Sequence, residues 1–185
     1  MEKIPQQAAY SGKRIVLYGP ESTGKSTLSR KLAQHYHTVQ IEEYARGYLQ
    51  DKFNRTGEIC NYSDILPIAI GQRILENNAV SMAQGYLFCD TDVLETYVYC
   101  MAYFNEAPQE LINAVQESSY DLYLLLQIDV PWTPDDLRDR PERREEMFEL
   151  FLAALHKFNK PYRIVTGLED LRFINALKAI EEESV

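Results

Sequence analysis

Gly19-Pro20-Glu21-Ser22-Thr23-Gly24-Lys25-Ser26 is a complete Gly-x-x-x-x-Gly-Lys-Ser octapeptide, and its flanks are the ones that spacing needs. Arg14-Ile15-Val16-Leu17-Tyr18 runs into it as a strand, and Thr27-Leu28-Ser29-Arg30-Lys31-Leu32-Ala33 leaves it as a helix. Gly19 and Gly24 let the backbone turn tightly and come close to a ligand. Successive N–H groups then point inward as an anion nest, backed by the positive end of the helix. Lys25 is placed to reach β- and γ-phosphates, and the Ser26 hydroxyl to ligate Mg²⁺. Gly19, Glu21, Ser22, Thr23, Gly24, Lys25, Ser26 and Thr27 are therefore the candidate binders of ATP and its Mg²⁺.

The rest of the chain alternates apolar strands with helical periods. Strands are expected near 13–18, 38–42, 85–89, 120–128 and 162–165. Helices are expected near 24–36, from 43 onward, from a cap at Ser63 or Asp64 to about 84, and at 92–104, 107–117, 147–158 and 168–182. A polar loop is expected from 54 to 62, and residues 1–12 read as a short tail before a single domain over 13–185. The run Tyr120–Ile128 is nearly continuous in apolar residues, as strands inside parallel sheets are. The fold class is thus α/β: a P-loop three-layer sandwich around a parallel five-stranded sheet, with a lid segment at about 130–146.

Bulk properties narrow the function. The chain has 185 residues, a formal net charge of −9 and 45% hydrophobic residues. With no basic tract, a nucleic-acid partner is not expected. No apolar run approaches the ~20 residues of a membrane span, so no membrane partner is expected either, and the compartment is read as cytoplasmic. Cys60, Cys89 and Cys100 lack metal-ligand spacing and read as reduced thiols in or beside the core. His35, His37 and His156 read as surface residues.

In open parallel sheets, ligands bind beyond the carboxyl ends of the strands. Four polar clusters fall there: Gly19–Ser26, Glu42–Arg46, Asp90–Asp92 and Asp129–Arg144. After the third strand, Asp90-Thr91-Asp92 offers two carboxylates: one to hold Mg²⁺ with Ser26 (Asp90 is the metal candidate), the other to orient or deprotonate a hydroxyl. Asp92 is equally placed to cap the next helix, and the residues leave open which acid is the base. Glu42-Glu43-Tyr44-Ala45-Arg46 follows the second strand and faces the acceptor side, with Glu43 a hydroxyl acceptor and Arg46 a clamp. The single Trp, Trp132, lies in a loop and offers a flat face to a heteroaromatic ring. Asp136 to Arg144 holds four Arg, of which Arg138 and Arg143 are the first candidates for guanidinium groups above the phosphates and Arg140 the next. Two functions fit: a small-molecule kinase, and a regulatory module that binds a nucleotide without acceptor chemistry. The chain has no Asn-Lys-x-Asp guanine-reading motif.

The ordered set of Gly-Pro-Glu-Ser-Thr-Gly-Lys-Ser at 19–26, Glu-Tyr-Ala-Arg at 43–46, Gln72, Asp-Thr-Asp at 90–92 and Asp-x-Pro-Trp at 129–132 with Arg138 beyond resembles the ribosylnicotinamide kinase domain of NadR-type proteins, which are nucleoside monophosphate kinase-like. The resemblance covers nearly the whole chain. It implies ATP-dependent phosphorylation of the 5′-hydroxyl of nicotinamide riboside, within NAD salvage. It further implies that Lys25 and Ser26 handle ATP and Mg²⁺, that Asp90 or Asp92 serves the hydroxyl, that Glu43, Tyr44, Arg46, Gln72, Asp90 and Trp132 bind the nucleoside with Trp132 stacking nicotinamide, and that Arg138 belongs to the lid. Two departures stand out: Asp135-Asp136 replaces the family's Asp-Gly before Leu-Arg, and no His-x-Gly-His occurs, so adenylyltransferase and repressor activities are not expected to carry over.

Overall fold

The computed structural model describes residues 3–135, 137 and 141–183. Five parallel strands form the sheet: β1 (Lys13–Tyr18), β2 (Gln40–Ile41), β3 (Tyr86–Asp90), β4 (Leu122–Leu126) and β5 (Tyr162–Val165), in the order β2-β3-β1-β4-β5. Among the described residues seven α-helices connect and cover them: α1 (Lys25–His35), α2 (Tyr44–Thr56), α3 (Ile65–Ala79), α4 (Val93–Phe104), α5 (Gln109–Glu117), α6 (Arg144–Lys157) and α7 (Glu169–Glu182).

Alternation along the buried strands sorts the core into two layers. Ile15 and Leu17 of β1 join Leu122, Leu124 and Leu126 of β4 against α1 and α7. Val16 and Tyr18 turn the other way, with Leu87, Cys89, Tyr123 and Leu125, against α3, α4, α5 and α6. Both faces are covered, so β4 reads as five buried residues in a row. Cys89 and Cys100 are buried and Cys60 half-buried, all as free thiols.

Several boundaries differ from expectation for identifiable reasons. α2 runs on to Thr56, into the expected loop, and stops where Gly57 takes φ 71 and its N–H bonds to the Phe53 carbonyl at 2.8 Å. The N-cap of α3 is Asp64, one of the two expected, and a 3₁₀ turn over Tyr62–Asp64, itself capped by Asn61, leads into it. α3 ends at Ala79 rather than about 84, tightening into a 3₁₀ turn over Val80–Met82 before Ala83 turns extended at ψ 143. α6 begins at Arg144, three residues early, with Glu145 and Glu146 in its first turn, where acidic residues suit the helix dipole.

Residues 3–12 have no regular secondary structure, yet they are bound to the fold. Gln7 donates to Glu76 at 2.6 Å and accepts from Ser119 N at 2.8 Å, while Arg14 donates to the Ala8 carbonyl at 2.5 Å. Ile4 and Tyr10 pack against the larger core layer. The segment lies against the C-terminal half of α3 and the residues that lead into β4.

Candidate active site

β1 is the switch point of the sheet: after it the chain builds β2 and β3 on one side, then β4 and β5 on the other. The loop leaving β1 therefore opens into the crevice beyond the strand ends. That loop has the expected form. Gly24 precedes α1 at φ 84, and Gly19 adopts φ 138, where a Cβ would meet the Leu126 carbonyl at 3.1 Å. Ser22 is also left-handed, at φ 59.

The loop's curvature is held by protein groups on several sides. Lys25 Nζ donates to Gly19 O at 2.7 Å and Pro20 O at 3.1 Å, and pairs with Glu95 Oε1 at 3.2 Å. Thr23 Oγ1 donates to Pro20 O at 2.8 Å, and Glu21 N donates to the Tyr99 hydroxyl at 3.0 Å. Thr133 N donates to Ser22 Oγ at 2.9 Å. From α7, Arg172 reaches the carbonyls of Thr23, Gln127 and Gly167 and pairs with Asp129. One buried guanidinium thus joins the phosphate-binding loop to the ends of β4 and β5.

A cleft of about 360 Å³ adjoins the loop. Glu21, Ser22, Thr23, Gly24, Lys25, Ser26 and Thr27 form its phosphate-side wall, and Glu43, Arg46, Gln72, Glu95, Tyr99 and Tyr103 part of its other walls. Tyr99 and Tyr103, one turn apart on α4, stack at 6.3 Å with planes 27° apart. Thr91 at the rim is a β-branched residue at φ 75, a conformation that costs about 1–3 kcal/mol and concentrates at functional sites.

Asp90, next to Thr91 of the cleft wall, is 2% exposed and is not itself part of that wall, and its Oδ1 has no hydrogen-bond partner among the described residues. Burial raises its pKa to about 6, with Glu43 and Glu42 adding to the rise and Lys25 and the Ser26 hydroxyl opposing it. For Lys25, burial works against the charge, but Glu95, Glu43 and Asp90 outweigh it and hold the ammonium above its ordinary value.

Asp92 does not join this group. Its Oδ1 accepts from Glu95 N at 3.2 Å, capping α4, and its Oδ2 accepts from the Tyr123 hydroxyl at 2.6 Å inside the sheet. Burial raises its pKa to about 6 as well, but both oxygens are engaged away from the cleft. Of the two roles open to Asp92, the geometry selects the cap.

The acceptor-side turn is propped rather than free. Gln72, 3% exposed, accepts from Tyr44 N at 2.8 Å and donates to Glu42 O at 3.4 Å. This holds Glu43 and Arg46 toward the cleft. Tyr44 itself is not part of the cleft wall; its ring lies over Gly71, where a Cβ would sit 2.2 Å from Tyr44 Cε1. Replacing a helix-interior Gly with Ala ordinarily adds about 1 kcal/mol of stability. For Gly71→Ala, thermal melting is expected to show a loss instead, because the Tyr44 ring must move; a rise in Tm would refute the contact.

Trp132 also differs from expectation. It is absent from the cleft wall, and its ring faces the Arg144 guanidinium 5.8 Å away. Arg144 in turn donates to Val130 O at 2.9 Å and Ser22 O at 3.4 Å. The indole therefore supports the arginine that touches the phosphate-binding loop. Arg143 is turned to the surface, where it pairs with Glu146. Arg138 and Arg140 lie outside the described residues. Arg46 pairs with Asp135, in the stretch after Trp132, at 2.6 Å.

Sequence reasoning passed over Glu95, Tyr99, Tyr103, Arg144 and Arg172. For α4 the signal was available: Tyr99 and Tyr103 are four apart, and Glu95 interrupts an apolar helix one turn after Asp92.

Known proteins resemble this chain in sequence and fold. The trifunctional NAD biosynthesis/regulator protein NadR of Escherichia coli (strain K12) is 30% identical over 185 residues, covering 98% of this chain and 45% of that protein. The chain thus spans less than half the length of this relative. A NadR protein in complex with NR has a TM-score of 0.77 at 27% identity, over 93% of this chain and 51% of its own. A NadR protein in complex with NAD and AMP-PNP gives 0.77 at 28% identity, over 94% and 49%. Thymidylate kinase from Candida albicans, at 18% identity, has a TM-score of 0.72 over 96% and 94%, a likeness of fold that identifies the sandwich as nucleotide kinase-like. The AAA_28 family model, described as an AAA domain, matches residues 14–170, from β1 through the opening of α7, and the chain belongs to that family.

Proposed function

We propose that this domain is an ATP-dependent kinase that phosphorylates the ribose 5′-hydroxyl of nicotinamide riboside to nicotinamide mononucleotide, in NAD biosynthesis. The observation that carries the reading is one cleft in which a phosphate-binding loop meets an acidic, aromatic wall. Its volume of about 360 Å³ falls in the range of small-molecule sites, about 300–1,000 Å³. Glu21, Glu43 and Glu95 face into it with Tyr99 and Tyr103, against the cations Lys25 and Arg46. A pyridinium nucleoside, cationic and flat, suits such a wall. The NadR complexes with NR and with AMP-PNP support the same pairing of acceptor and donor.

In this reading the triphosphate lies on the N–H groups of Gly19 to Thr27, and Lys25 engages its β- and γ-phosphates. Arg46 and Glu43 take the ribose and leave the ring toward Tyr99 and Tyr103. The donor set for Mg²⁺ fits: the Ser26 hydroxyl bonds to the Asp90 carboxylate, and Asp90 keeps a buried oxygen without a protein partner. Such hard oxygen donors, one or two from protein, suit Mg²⁺ bound mostly through phosphate and water. When bound, the ion offsets charge on the phosphates. Asp90 orients the acceptor hydroxyl toward the γ-phosphorus; Asp92, buried behind it, does so only indirectly by fixing the first turn of α4.

Incubation of the protein with Mg-ATP and nicotinamide riboside is expected to yield a product heavier by one phosphoryl group, read by mass spectrometry. Absence of phosphorylated product across a panel of nucleosides would end the kinase reading. Nucleotide binding without any product would leave a nucleotide-dependent binding module in its place.

A further inference from the structure

Among the ionisable residues of the cleft wall Glu95 is the least exposed, and the proposed phosphoryl transfer leaves it without a task. It is 4% exposed and stands on the first turn of α4, three residues past the Asp92 cap. Its Oε1 lies 3.2 Å from Lys25 Nζ, and its Oε2 is buried with no hydrogen-bond partner. Lys25 has three N–H donors, and all three are engaged: by Gly19 O, Pro20 O and Glu95. A triphosphate that takes the ammonium must therefore take it from something.

We infer that Glu95 is a positioning residue exchanged for the triphosphate: nucleotide binding draws Lys25 off Glu95, and the buried carboxylate left behind takes up one proton. The inference rests on the kinase reading only in that it needs the nucleotide to bind at Gly19–Thr27.

The surroundings make the proton the available compensation. Facing Glu95 are Tyr18 from β1, Lys25 from α1, Glu43 ahead of α2, Asp90 from β3 and Tyr99 from its own helix. Lys25 is the sole cation among them. Burial already pushes the Glu95 carboxyl well above its ordinary value; Glu43 and Asp90 push the same way, and only Lys25 holds it down. Removing Lys25 and bringing in a polyanion both favour the protonated acid. A bare buried carboxylate without its cation is strongly disfavoured, so protonation is the easier outcome. In the exchange, Lys25 stays an ammonium, one proton passes from buffer to Glu95, and no covalent bond changes.

The sign for affinity follows from linkage. The nucleotide-bound form holds one proton more than the free form, so binding tightens as pH falls and weakens as pH rises, by up to about tenfold per pH unit. The test is calorimetric titration of the protein with ATP in EDTA, in two buffers of different ionisation enthalpy, from pH 6 to 8.5. The wild-type protein is expected to take up nearly one proton more than Glu95→Gln does at the same pH. Subtracting the variant removes titration of the nucleotide and of Asp90. Relative to wild type, Glu95→Gln is expected to gain affinity for ATP by up to about tenfold per pH unit, so by up to about a hundredfold between pH 6 and pH 8. Lys25→Met gives an independent arm that does not touch Glu95: with no ammonium to hand over, the extra proton uptake should vanish.

Equal proton counts and equal pH slopes in wild type and Glu95→Gln would overturn the exchange. So would a Glu95→Gln protein, folded by its melting curve, that binds ATP more weakly at every pH, which would make Glu95 a fixed support of Lys25. If ATP binds with the expected proton but no nucleoside is phosphorylated, the kinase reading fails and the exchange stands.

Discussion

Replacing Lys25 with alanine is expected to lower turnover about a hundredfold or more, the usual effect of removing one charge-stabilising contact at a transferring group. The ammonium is the only cation from α1 in the cleft wall, and its position is defined by two loop carbonyls and Glu95. Charge on the phosphates is greatest in the transition state, so kcat should fall more than the KM for the nucleoside changes. Product formation by mass at saturating nicotinamide riboside measures the effect, with a melting curve to show that the variant folds. A loss of less than about tenfold would place the phosphates elsewhere than on this loop.

The second large effect is expected on stability. Arg172→Ala should destabilise the protein by about 3–5 kcal/mol, because it leaves three carbonyls short of their donor and the partly exposed Asp129 without its cation. Arg172 is 4% exposed, and the groups it joins come from the phosphate-binding loop, the end of β4 and the turn after β5. For a domain of this size Tm should fall by on the order of 10 °C. Arg172→Lys should recover only part of that, since an ammonium cannot present the planar fork that reaches all these acceptors at once. Urea titration and calorimetry give the numbers. A loss under about 1 kcal/mol would mean that the loops hold each other without this side chain.

What the residues revealed in advance depended on how local each signal was. β1, the loop Gly19–Ser26 and α1 were legible because the motif's spacing and both flanks lie within one short stretch of chain. β4 was legible because an interior strand of a parallel sheet must be apolar on both faces. The doubly wound layout followed from the alternation of such runs with helical periods.

Asp92 was ambiguous for a physical reason. An acid before a helix looks the same whether it caps the helix or serves a substrate, and only the Tyr123 hydroxyl 31 positions away decides. Trp132 and Arg144 are 12 residues apart, and nothing in either neighbourhood announces that the guanidinium faces the indole. Arg172 sits in a charged, amphipathic helix and reads as one more solvated arginine, since its burial is created by three separate loops folding around it. The residues ahead of β1 are polar and short of periodicity. Their anchorage depends on Glu76 and Asn77, which α3 brings to them.

The many contacts on the loop after β1 have a consequence for how tightly it can hold a ligand. Lys25, Thr23, Tyr99, Thr133, Arg144 and Arg172 each fix one part of its backbone or side chains from within the protein. An incoming polyanion meets a mould whose shape was set when the chain folded, so little conformational entropy is lost on association, and affinity is free to reflect the match of N–H groups to phosphate oxygens.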